Sequence, residues 1–305
     1  MTAQIIVMNL QGVAVASDTA VSRRTENGLQ SAGFESKIIR LPEPHKIAIL
    51  HSGSTNLNNV PHMMHIRAWV NSLTKPLPTV QAYVDSYVRF SNADKALVPT
   101  STGQMTIERL VQSFLDQDAR HFKDLENSTY EPGMEWDERV AASHKAAWKH
   151  IREMREFYKG APNYKGLTRE GVTRAIAKSR KGFSDYLEQA FEGVRINAAQ
   201  KKALLDLAVD VLLKVDRGPS DSTLHFVGFG TTEPYARLIK LVVRGRYAGK
   251  FVADVNVLGP KIGPAPKEVA VDCWAVAQND AINTFMHGIH PRAHQTIRKL
   301  SLIHI

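Results

Sequence analysis

Threonine is the second residue of the chain, and a threonine in that place can carry both halves of a nucleophilic device. A threonine hydroxyl attacks a carbonyl effectively only when a base stands beside it. Small second residues generally permit removal of Met1, which leaves Thr2 with a free α-amine. That amine has an unperturbed pKa of about 8 and can act as the base, so nucleophile and base come from one residue. Met-Thr opens many ordinary proteins, so the weight falls on the neighbouring elements. Other residues able to do chemistry stand in weaker patterns. Cys273 is the only cysteine and sits in the apolar run 269–276, which reads as a buried, inert thiol. His62-x-x-His65 has the spacing of half a metal site but lacks a third ligand, and reads as a pair on a helix face. His287, His290 and His294 form no ligand pattern. Gly228-Phe-Gly230 lacks the length and the Lys-Ser/Thr of a phosphate loop. The expectation is no metal and no cofactor.

The elements that must position Thr2 begin at once. Residues 4–8 are an apolar run, Gln11-Gly12 supplies a turn and 13–17 comes next as a second strand, a hairpin that places residue 2 at the mouth of a sheet. Residues 37–41 and 46–50 form a second strand pair, broken by Pro42-Glu-Pro-His45. Helical spacing appears in Leu57, Val60, Met63, Met64, Val70 and Leu73, and again in Val80, Tyr83, Val84, Tyr87 and Val88 with Thr79 as cap. Residues 104–216 read as helical. Thr106 caps a helix faced by Ile107, Leu110, Val111, Phe114 and Leu115. Val140, His144, Trp148, Ile151, Met154 and Tyr158 share a face of the segment 137–159, which ends at Gly160, and Thr168 and Asn197 cap two further helices. Strand character returns at 223–229, 235–243, 250–255 and 268–276, with Gly245 and Gly249 flanking a turn, and 280–286 reads as a helix. Strand pairs, then helices, then strands do not make the βαβ alternation of a parallel sheet. They suit two packed antiparallel sheets covered by helices, an α+β fold.

Gly12-Val-Ala-Val-Ala-Ser-Asp18, then Lys37 opening a strand, then Ser52-Gly53-Ser54 ending one, resemble proteasome β-subunits and their bacterial relatives, N-terminal-nucleophile (Ntn) hydrolases. In that family a hairpin of the form Gly-Val-x-x-Ala-x-Asp comes after the N-terminal threonine. Its aspartate lies sixteen residues after the nucleophile, as Asp18 does after Thr2. Lys37-Ile-Ile-Arg-Leu41 matches the lysine-headed strand, with a few extra residues in the preceding loop, and Ser52-Gly53-Ser54 matches the turn that starts the first long helix. The resemblance implies a four-layer αββα sandwich of two antiparallel sheets. It implies that Thr2 attacks the carbonyl of an amide, that Lys37 keeps the site electropositive, that Asp18 fixes Lys37, and that the Gly53 N–H serves as oxyanion donor. The core would span 1–103 and 217–299, and 104–216, which has no counterpart in ordinary subunits, would be a helical insertion. The substrate implied is a peptide or other amide, and the assembly a homo-oligomeric ring; an ATPase partner stays open. One departure stands out. Where the family has Gly-Ser-Gly before its third long helix, this chain has Ala277-Gln278-Asn279-Asp280. The family's late aspartate and serine have no match here.

The formal charge of +9 raises a nucleic-acid partner. However, the basic residues are interleaved with acids on helical faces, as in 150–156, and read as solvated surface rather than a nucleic-acid footprint. A lone cysteine cannot form an internal disulfide. No signal peptide and no membrane-spanning stretch is expected, so the sequence reads as cytoplasmic. The last six residues, 300–305, look like a translated sequencing adapter, with the natural chain continuing differently. The competing readings are a catalytically silent scaffold of the same fold and, further off, a nucleic-acid-associated protein.

Overall fold

Side-chain alternation along residues 3–9 determines the first strand. In β1 (Ala3–Asn9) Gln4, Ile6 and Met8 are buried and the residues between them are not, the period-two pattern of a strand with one face on a core. The Asn9 side chain closes the turn, accepting the Gln11 and Gly12 N–H groups at 2.8 Å each. β2 (Val13–Ser17) then returns antiparallel, and β12 (Val271–Ala277) pairs antiparallel with the other edge of β1. A computed structural model of the chain describes residues 3–25, 28–34, 36–93, 99, 102–128, 133–192, 194, 196–215, 222–258, 262–265, 268–277 and 284, with the backbone alone for 20–25 and 28–34.

A second sheet runs β11-β10-β9-β6-β5, with every neighbouring pair antiparallel. Its strands are β5 (Ile38–Arg40), β6 (Lys46–Gly53), β9 (Ser222–Phe229), β10 (Arg237–Tyr247) and β11 (Lys250–Leu258). Six of the eight β9 residues are buried, because the sheet is covered on both faces. On one face Ile49, Leu224, Phe226 and Leu241 pack with Ile66 and Trp69 of α1 (His62–Ser72) and with Val84 and Tyr87 of α2 (Val80–Ala93). On the other, Leu50, Val227 and Leu238 pack against Ile6, Met8 and Val276 of the three-stranded sheet. Each such fully buried aliphatic contributes roughly 1.5–3 kcal/mol. Among the described residues the molecule is therefore mixed α+β, with helices on one sheet and that sheet on a second. β6 and β9 meet closely at Gly228 (φ +143°), where a Cβ would lie 2.0 Å from the Lys46 carbonyl oxygen.

Five helices fill the middle of the chain: α3 (Thr102–Ser128), α4 (Trp136–Gly160), α5 (Arg169–Ala177), α6 (Arg180–Ala190) and α7 (Ala198–Leu213). They share a core that includes Phe114, Phe122, Ile151, Phe183, Leu204 and Leu212. The same core takes in Tyr247 of β10 and Val252 of β11, and the Tyr247 hydroxyl donates to the Leu212 carbonyl at 2.8 Å. Thr168 caps α5 by accepting from the Gly171 N–H, and Asn197 caps α7 in a reciprocal box with Gln200.

Several sequence expectations need correction. The stretch taken as a loop before Lys37 contains a hairpin, β3 (Ala20–Thr25) with β4 (Gly28–Phe34). Its sequence carries no apolar alternation to mark it as a strand pair. The first helix starts at His62, not at the Ser52-Gly53-Ser54 turn. Leu57 and Val60 lie in a small hairpin, β7 (Asn56–Leu57) with β8 (Val60–Pro61). The buried face of α1 is His62, His65, Ile66 and Trp69, an i, i+3, i+4, i+7 ladder, which leaves Met64 54% exposed. Thr106 lies inside α3 rather than at its cap. Gly245 sits at a register shift within β10, and the turn after it is Ala248-Gly249, both at positive φ. Gly160 is the last helical residue and Ala161 the cap. Cys273 is half-buried, since it faces outward on β12, opposite Val7. The expected helix 280–286 lies outside the described residues except for Thr284.

Asn58, at φ +50° in the β7–β8 turn, binds the two halves of the molecule together. Its Nδ2 donates to the Thr106 hydroxyl (2.8 Å) and the Arg246 carbonyl (2.7 Å), and its Oδ1 accepts the Arg246 N–H at 2.6 Å. Asn58→Ala strands a buried N–H and C=O of β10. It is expected to lower stability by about 2–4 kcal/mol, read as a lower urea midpoint at unchanged slope.

Candidate active site

Asp18 directly follows β2, and its N–H donates to the Ala3 carbonyl at 3.0 Å, extending the β1–β2 ladder by one rung to the residue bonded to Thr2. Lys37 directly precedes β5 on the other sheet, and its carbonyl accepts the His51 N–H of β6 at 2.8 Å. The two side chains meet across the gap between the sheets, with Lys37 Nζ 2.7 Å from Asp18 Oδ1. The Lys37 side chain is 10% exposed and that of Asp18 35%, so the ammonium is held at the rim of a protein interior. A third tie lies beside them, where Gln4 Nε2 donates to the His51 carbonyl at 2.8 Å. Gly53 is two residues further along β6, exposed, and at φ +86°, a conformation that suits glycine. The Ser54–Thr55 peptide just beyond it is held by two groups. The Ser222 hydroxyl donates to the Ser54 carbonyl at 2.7 Å, and His51 Nε2 lies 2.9 Å from the same oxygen. A carbonyl only accepts, so His51 carries its proton on Nε2.

Of the four residues singled out in the sequence, the structure thus joins Asp18 to Lys37 and places Gly53 at the end of the strand that Lys37 binds. Thr2 lies outside the described residues, and so do Gln278, Asn279 and Asp280 of the departed turn and the histidines 287, 290 and 294.

Sequence reasoning missed the cluster beneath the Gly53 turn. His62 and His65 do share a helix face, and that face of α1 is fully buried. His62 Nε2 lies 2.8 Å and His65 Nδ1 3.2 Å from the Tyr87 hydroxyl, and the His51 and His62 rings sit 5.1 Å apart. Burial, then the neighbouring His51 and His65, lowers the His62 pKa well below the ordinary histidine value. Burial raises the Tyr87 pKa, so that hydroxyl stays protonated. The i, i+3 spacing continued by Ile66 and Trp69 was the signal available for this core cluster. His225 on β9 is buried as well. Burial and then Lys240 push its pKa down to about 4. In the helical block His150 Nε2 lies 3.3 Å from Asp118 Oδ1, and burial raises the Asp118 pKa.

Among the described residues no group of three or more His, Cys, Asp or Glu stands in a metal-holding arrangement, and no helix is long and apolar enough to cross a membrane. No family model, curated protein or solved structure matches the chain.

The two lowered histidines set a pH dependence of stability. Below about pH 6.5 the unfolded chain protonates both, while folded His225 stays neutral until pH about 4. Their stabilising contribution is therefore complete above about pH 6.5 and falls as pH drops toward about 4. The Asp118 shift works in the opposite direction. Comparison with His225→Gln isolates one group. Between pH 7 and pH 4 the parent should lose roughly 3 kcal/mol more than the variant, measured by urea melts at both pH values.

Proposed function

We propose that the chain is an Ntn hydrolase of the proteasome β type, cleaving a peptide or other amide through an acyl-enzyme on Thr2. The observation that carries this reading is the Lys37–Asp18 pair, 2.7 Å apart, held beside the Ala3 carbonyl to which Asp18 donates. Two strands from different sheets converge there on the residue bonded to Thr2.

In this mechanism the Thr2 α-amine takes the hydroxyl proton as Oγ attacks the scissile carbonyl. The negative charge that forms on the carbonyl oxygen is met by the Gly53 N–H, a type of donor typically worth about 10² to 10³ in rate. The Lys37 ammonium lowers the energy of the alkoxide-like oxygen and disfavours a charged α-amine, which makes that amine available as a base near neutral pH. Asp18 holds Lys37 in place. Collapse breaks the C–N bond, the α-ammonium gives its proton to the departing amine, and an ester remains on Thr2. Water, deprotonated by the same amine, then releases the acid. Only the chain's own groups are used. On this reading the four-layer sandwich spans 1–103 and 217–299, the helical block is an insertion tied to it by Asn58 and Tyr247, and a homo-oligomeric ring is the expected assembly.

The test is the intact mass of the purified chain with and without a threonine-directed β-lactone or epoxyketone. The expected result is loss of Met1 and one adduct mapping to Thr2, absent in Thr2→Ala and formed about 10²-fold more slowly in Lys37→Ala. Labelling that persists in Thr2→Ala overturns the reading. Retained Met1 with no adduct puts a catalytically silent scaffold in its place.

A further inference from the structure

The inner face of the five-stranded sheet changes character along its length. Toward one end it presents Leu50, Val227 and Leu238 to the opposing sheet. Toward the other, the same inward positions of β6, β9, β10 and β11 become Ser52, Thr223, His225, Lys240 and Asn256. Those residues wall a cleft of about 390 Å³, closed on the far side by Trp274 of β12, a size within the range of small-ligand sites. The cleft adjoins the candidate active site on two sides. Ser52 immediately precedes Gly53, and Val276, which also lines it, pairs with Gln4 one rung from Ala3.

A polar wall between two sheets has a desolvation cost that an ordinary apolar core would avoid. His225 shows that cost directly. It is 3% exposed, and its Nδ1 has no hydrogen-bond partner among the described residues. Lys240 stands close enough to help hold that ring neutral. The nearby carboxylates are Asp254, whose Oδ2 accepts from Asn256 Nδ2 at 2.6 Å, and Asp272, whose Oδ2 accepts from Trp274 Nε1. A cationic lysine, a neutral imidazole, two hydroxyls and a carboxamide make a donor-rich lining. Trp274, Val257 and Leu258 add apolar surface suited to methylenes.

We infer that this cleft is the subsite for an acidic side chain of the peptide substrate, with Lys240 supplying the charge and His225 and the hydroxyls the hydrogen bonds. This rests on the hydrolase reading above, but binding at the cleft is measurable without turnover. Acetyl-Leu-Glu-amide and acetyl-Leu-Gln-amide are titrated calorimetrically into the Thr2→Ala chain. The glutamate peptide should bind at least about tenfold more tightly, the worth of one charge-assisted hydrogen bond. Lys240→Met should remove that preference and Lys240→Arg retain it. Equal binding of the two peptides, as expected if Asp254 cancels Lys240, overturns the inference, and so does a preference that survives in Lys240→Met. Labelling of Thr2 by otherwise matched epoxyketones bearing Glu or Leu separates the two ideas. Labelling without a glutamate preference leaves the hydrolase and removes the subsite. A glutamate preference in binding without any labelling of Thr2 leaves the subsite and removes the hydrolase.

Discussion

The ion pair between Lys37 and Asp18 is the constraint on which the polar end of the molecule depends. Asp18 is fixed to the three-stranded sheet through the Ala3 carbonyl, and Lys37 to the five-stranded sheet through the His51 N–H. Their contact at 2.7 Å ties the two sheets together at that end. A lysine side chain 10% exposed loses much of its hydration, and removing its carboxylate would leave a charge with little water to replace the lost partner. Such a pair contributes more to position than to stability.

Behind that pair the packing divides the labour by face. The helix-covered face of the large sheet is mainly apolar but includes the His51–His62–His65–Tyr87 group, where His62 and His65 meet one hydroxyl, and a buried His45–Tyr83 contact. A neutral ring is the low-cost state for His62, because burial opposes its charged form. The group lies under the Gly53 turn and reaches it through His51 and the Ser54 carbonyl. The inner face is apolar at one end, where the sheets are cemented, and polar at the other, where they part.

The helical block is a second packing unit with its own core, joined to the sheets by specific polar contacts as well as by burial. Asn58 links the turn after Gly53 to α3 and β10, and Tyr247 links β10 to α7. Those contacts couple the order of the Gly53 segment to the helices, although the helices contribute none of the four candidate site residues.

Much of this was legible in the residues. The apolar run 4–8, the Gln11-Gly12 turn and the run 13–17 marked a hairpin, whereas which of its residues face the core, Gln4, Ile6 and Met8, came only with the fold. The apolar spacing of α2 and α3 and the side-chain caps at Thr79, Thr168 and Asn197 marked helices, because those signals are local. Asp18, Lys37 and Gly53 were singled out by order and spacing. Pairing at a distance could not be declared locally. The β3–β4 hairpin has no apolar alternation to announce it. His62 and His65 share a face with Ile66 and Trp69, but the hydroxyl they meet comes from Tyr87, in sequence far from them. Lys240, His225 and Ser52 meet only because β10, β9 and β6 lie side by side. The order of residues was enough to mark most strands and helices and to name the side chains able to do chemistry, since periodicity and capping act within a few residues. Which of those side chains touch was settled only by folding, since sheet register and face-to-face packing bring together groups that no local pattern relates.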